Sequence, residues 1–79
     1  MTQRNLASIA AEIYRDWGAA KVNYAAKPYL SAMRGMDSIN DNYGADSGKS
    51  VVLYFLSNAA TWRGDVAKRV KAELKALCK

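Results

Sequence analysis

The sequence has no histidine and a single cysteine, Cys78. The missing histidine takes away the commonest general base, the commonest zinc ligand and the usual side chain that titrates near neutrality. With one cysteine no intrachain disulfide can form, which points to a reducing interior. The lone thiol also has no imidazole to activate it, so no catalytic role is expected for Cys78. A zinc site would have to be built from carboxylates alone, and neither a metal nor a cofactor is expected.

Proline occurs once, at Pro28, and long apolar runs are missing. No stretch approaches the roughly 18 apolar residues that a membrane span requires. The opening "MTQRNLASIAAEIYRDWG" interleaves Arg4, Glu12, Arg15 and Asp16 with apolar residues, unlike a secretory leader. A cytoplasmic protein that makes no use of a membrane is expected.

What is present is helical periodicity. With 79 residues, of which 51% are hydrophobic, the chain suits one folded domain over 1–79, because a second core would bury too little. Leu6, Ile9, Ala10, Ile13 and Trp17 recur at steps of three and four, which predicts a first helix over 3–17. Thr2 is its expected N-cap and Gly18 its stop. Pro28 fits the first turn of a second helix that carries Tyr29, Leu30, Met33 and Met36 and ends near Gly35. The preceding "AAKVNYAA" reads as a loop or a short extra turn.

A polar stretch, "DSINDNYGADSG", follows, with Ile39 and Tyr43 expected to tuck inward. From Ser47 the pattern is helical again, with Val51, Val52, Phe55, Leu56 and Ala59 on one wide face. A last helix is expected over 62–77, capped by Thr61, with Trp62, Val66, Val70, Leu74 and Leu77 in one stripe. No β-strand is expected. The fold class is all-α, a small single-domain bundle of three to four helices.

The segment "YGADSGKSVVLYF" raises the possibility of a phosphate-binding loop. The Walker pattern requires glycine five residues before Gly48, but that position is Tyr43, and polar turn residues precede it where a true phosphate loop follows a long strand. Helix-start chemistry accounts for the residues better, with Asp46 or Ser47 as the cap and Gly44 in the turn before. A calcium loop starting at Asp37 fails too, because Ile39 and Gly48 fall where oxygen ligands belong.

Charge is uneven. The chain carries +5, and residues 63–79 hold six bases against two acids, whereas residues 37–46 hold three aspartates and no base. Lys68, Lys71, Lys75 and Lys79 step by three and four and form a ridge, while Asp65–Arg69 and Arg69–Glu73 are spaced as i,i+4 pairs. The ridge is either a solvated face favoured by the helix dipole or a contact surface for phosphate backbone or an acidic protein. Arg63, beside Trp62 and Gly64, is the best candidate for a specific contact. The partner-binding set is therefore Arg63, Lys68, Arg69, Lys71, Lys75 and Lys79. Trp17, Phe55 and Trp62 are expected in the core, whereas some of Tyr14, Tyr24, Tyr29, Tyr43 and Tyr54 should stay half-exposed as anchors.

The stretches "SGKSVVLYFLSNAATWRGDVAKRVKAELKAL", "EIYRDW" and "KPYLSAM" together resemble uncharacterised short proteins of phages and mobile elements from intestinal Gram-positive bacteria. That resemblance implies an accessory protein, such as an inhibitor of host defence of the anti-CRISPR kind, which acts by binding. A basic chain does not suit nucleic-acid mimicry, which leaves direct binding to a host protein or nucleoprotein complex. The alternative is a small nucleic-acid-binding module that uses the basic C-terminal helix. A weaker third reading is a part that self-associates through residual apolar surface.

Overall fold

The computed structural model describes residues 4–18, 20–43 and 46–78. Among the described residues four helices form, α1 (Leu6–Trp17), α2 (Lys27–Arg34), α3 (Gly48–Ser57) and α4 (Asp65–Leu77). The all-α expectation holds, with one addition. Asn42–Tyr43 and Asp46–Ser47, labelled β1 and β2, pair as a two-residue antiparallel ladder just before α3. So short a ladder escapes sequence patterning, which needs several alternating residues.

The helices form a ring in which α1 packs on α2 and α4, and α3 packs on α2 and α4. Their apolar stripes meet in one core that includes Leu6, Ile9, Ile13, Leu30, Met33, Val51, Val52, Phe55, Val70 and Leu74. Each fully buried side chain of this size contributes about 1.5–3 kcal/mol. At one end, Trp17 and Trp62 stack with ring centroids 5.7 Å apart. Phe55 meets both edge-on, at 6.3 Å and 6.5 Å. The three expected core aromatics are indeed core.

Helix ends show where the sequence reading needs correction. α1 starts at Leu6 with Asn5 as N-cap, its side-chain oxygen accepting from the Ser8 amide at 2.7 Å. Thr2 lies outside the described residues. The next free donors of α1, the amides of Leu6 and Ala7, bond to the carbonyls of Asp37 and Met36. The start of α1 is thus sewn to the turn that follows α2. Gly18 stops α1 at φ 90°, a conformation that glycine adopts without strain.

Pro28 sits in the first turn of α2, as expected. Before it, residues 20–26 form turns that bury Val22 and Ala26. α3 is capped by Ser47, whose hydroxyl accepts from the Ser50 amide at 3.1 Å, which resolves the choice between Asp46 and Ser47. Ile39 packs against the core; Gly44 and the side chain of Tyr43 lie outside what is described.

The largest correction concerns α4. It starts at Asp65, not Trp62, and its N-cap is Gly64 with no side-chain capping bond. Gly64 has φ 114° and ψ 179°, a region essentially closed to other residues. That turn breaks any helix running in from Trp62. The indole is buried all the same, because the loop rather than the helix delivers it to the core.

Candidate functional site

The expected contact residues divide between two flanks of α4. On the flank facing α1, Arg4 donates from Nη1 to Glu12 at 2.7 Å and from Nε and Nη2 to Glu73 at 3.0 Å and 2.5 Å. Arg69 completes the network by donating to Glu12. Among the described residues neither expected pair, Asp65–Arg69 or Arg69–Glu73, forms; Arg69 bonds instead to Glu12 of α1, and Glu73 to Arg4 just before α1. Physically, Glu12 is sheltered, with its side chain 18% exposed, and a sheltered carboxylate gains more from a guanidinium than a solvated neighbour does.

Bonding to Arg4, reinforced by Arg69, holds the Glu12 carboxyl below its ordinary range. The Arg4 guanidinium is correspondingly pushed further up, chiefly by its bond to Glu73. Two cations and two anions balance on this flank, which leaves Arg69 exposed but neutralised.

The other flank is uncompensated. Lys68 and Lys75 are exposed, and neither forms an ion pair among the described residues. Lys71 lies between them, half-buried, and its ammonium donates to the carbonyls of Ala59 and Trp62, both at 2.7 Å. It also stands 5.8 Å from the Trp62 ring centroid, a cation–π contact. Desolvation lowers the pKa of Lys71, and repulsion from Lys75 and Arg63 lowers it further. Lys75 and Arg63 are thus each close enough to Lys71 to repel its charge. Lys79 lies outside the described residues.

Arg63 protrudes from the α3–α4 loop between two shallow hollows. One, of about 390 Å³, is lined by Asp16, Trp17, Lys21, Thr61, Trp62 and Arg63. The other, of about 450 Å³, lies at the head of α4 among Arg63, Gly64, Asp65, Lys68 and Lys71. The loop that shapes both is held rigidly. Trp62 donates its indole N–H to Asp16 at 2.9 Å and gives its carbonyl to Lys71, while its ring stacks on Trp17. Lys21 and Asp16 belong to this surface although sequence reasoning did not include them. Only the fold brings them to Arg63, and no local spacing signals it.

The remaining candidates resolve into structure. Gly48, the would-be phosphate-loop glycine, is buried against the chain at 38–39, and a Cβ there would lie 2.7 Å from the Ile39 carbonyl oxygen. Its amide donates to the Asp41 carbonyl at 2.6 Å. Asp41 in turn accepts from the amides of Asp37 and Ser38, so its carboxylate is spent on a turn. Among the described residues no group of three metal-ligating side chains comes together. Cys78 is half-buried, and burial pushes its thiol up despite the influence of Lys49.

Two tyrosines are the expected exposed aromatics. Tyr24 is 89% exposed on the α1–α2 connection. Tyr54 is 49% exposed and packs on Tyr29 with centroids 5.3 Å apart. Among the described residues no helix is long and apolar enough to cross a membrane. Comparison with protein-family models, with curated proteins and with solved structures gives no match for this chain.

Proposed function

We propose that the chain is a non-catalytic binding protein, of the kind that mobile elements carry, which docks on a host nucleoprotein through the basic surface of the α3–α4 loop and the adjoining flank of α4. The observation that carries this reading is the basic flank of α4, where Lys68 and Lys75 are exposed without an ion pair among the described residues and Arg63, Lys68 and Lys71 line one hollow against the single acid Asp65. Proteins dissipate repulsion on such a flank cheaply by interposing acids, as this one does across α1 and α4 with Glu12 and Glu73. A surface left positive attracts anionic partners and accelerates their approach.

The titratable groups with displaced pKa values are all tied into the fold, by ion pairs, carbonyl contacts or burial. That is the pattern of a scaffold, not of an acid–base pair aimed at a substrate. The inhibitory role rests on the mobile-element resemblance, and the basic face supplies the means.

A second reading, a module that binds nucleic acid without a protein partner, draws on the same exposed Arg63, Lys68 and Lys75. Capture from a host lysate, with and without nuclease, separates the two. The leading reading expects a protein partner that survives nuclease and is lost on replacing Arg63, Lys68 and Lys75 together by alanine. Recovery of nucleic acid alone favours the module. Capture that the triple replacement leaves intact rules out the basic face.

A further inference from the structure

We propose that the hollow at the head of α4 seats one phosphate group of a nucleic-acid backbone, gripped by Arg63 and Lys68 with Lys71 behind them. The inference rests on the second reading given above, direct contact of the basic face with nucleic acid, and assigns it a specific contact point. Three cationic side chains converge on this hollow against one acid, Asp65. A protonated lysine has three donors, and Lys71 spends two on the carbonyls of Ala59 and Trp62, which leaves one for a ligand. Those two bonds also fix the ammonium in place, so it is oriented before any ligand arrives.

Arg63 adds the planar fork that matches phosphate oxygens in pairs, whereas Lys68 contributes a mobile point charge. At Gly64 a side chain would meet nothing within 4 Å, so the backbone there is open to close approach. Burial, with repulsion from Lys75 and Arg63, disfavours the Lys71 charge, and an anion in the hollow offsets the repulsion. Asp65 opposes the anion, but its single charge is outnumbered.

One feature favours a polymer backbone over an isolated phosphate, and a second sets the backbone above the bases. Lys75 continues the positive flank seven residues beyond Lys68, about 10 Å along the helix axis, where neighbouring phosphates of a strand would meet it. The nearby indoles of Trp17 and Trp62 are 8% and 2% exposed, so neither offers the hollow an open face to grip a base. The contact is therefore to backbone and indifferent to sequence.

The test is titration of a fluorescent single-stranded oligonucleotide, at two salt concentrations, into the wild-type chain and into Arg63→Ala and Lys75→Ala. Neither side chain makes a hydrogen bond among the described residues, so both variants should fold, as circular dichroism will verify. A seated phosphate predicts that Arg63→Ala weakens binding at least about tenfold, the scale of a charge-assisted contact, while Lys75→Ala weakens it only about two- to threefold. Millimolar inorganic phosphate should compete only weakly if the backbone is the ligand, and full displacement by it overturns the polymer assignment. Equal losses from the two variants overturn the seat and leave a diffuse basic face, so the broader reading survives. If the wild-type chain binds no oligonucleotide even at low salt, the seat is overturned, and lysate capture decides the broader reading separately.

Discussion

The indole N–H of Trp62 donates to a carboxylate oxygen of Asp16 at 2.9 Å, joining residues 46 apart in sequence. This bond ties the α3–α4 loop to the last turn of α1 beside the proposed contact surface. Removing its acceptor should strand a partly buried donor. Asp16→Ala is expected to lower stability by about 1–2 kcal/mol in urea unfolding. An unchanged unfolding midpoint would mean that water replaces the carboxylate without loss.

Two glycines are needed for different reasons, and alanine separates them. At Gly48 the new Cβ meets the Ile39 carbonyl oxygen at 2.7 Å and that of Ser38 at 3.0 Å, and backbone cannot turn aside. Gly48→Ala should cost about 2–3 kcal/mol, as over-packing does. At Gly64 there is open space, so only the φ of 114° is violated, at a cost of about 1–3 kcal/mol. The telling difference is where each disturbance falls in amide spectra. Gly48→Ala should shift residues 38–41, and Gly64→Ala the start of α4.

Acid should weaken the fold through Glu12. Its carboxyl titrates below the ordinary value in the folded chain, chiefly because of Arg4, so the unfolded chain takes up the proton first. The stabilisation is complete above the ordinary carboxylate range and disappears as pH falls through the lowered folded value. Glu12→Gln should therefore destabilise at neutral pH, by about 1 kcal/mol given the exposure of Arg4 and Arg69, and flatten the acid limb of the stability curve. Thermal unfolding between pH 7 and acid would show both effects. A parallel loss at every pH would assign them to packing instead.

Lys71 and Lys68 are neighbours on α4 with different tasks. Lys71→Met takes the ammonium from the Ala59 and Trp62 carbonyls and should cost about 1–2 kcal/mol. Lys68→Ala, on an exposed position, should stay within about 0.5 kcal/mol. Denaturant melts of the two variants decide between a brace and a free surface charge. Equal stability would remove Lys71 from the loop's support.

Much of the fold was legible because it follows from local rules. The steps of three and four from Leu6 to Trp17 locate α1, Pro28 locates the entry to α2, and Ser47 caps α3. The missing histidine and the failed Walker spacing are equally plain in the sequence. These signals need only neighbouring residues, since a helix is stitched by bonds four apart.

What one residue does to another far along the chain was decided by tertiary structure alone. The spacing of Arg69 and Glu73 suits a pair on one helix, yet Arg69 goes to the sheltered Glu12 of α1 and Glu73 to Arg4, which precedes α1. The Trp62 spacing suits a helical stripe, yet the φ of Gly64 places the indole in a loop. Lys71 looks like one more lysine in a ridge until the loop folds its carbonyls over it. Sequence determined which helices form and which faces are oily, because periodicity and capping are local. Only the packed ring of helices decided which charges are neutralised and which remain for a partner, because electrostatic energy depends on distance in space and on the water removed between groups.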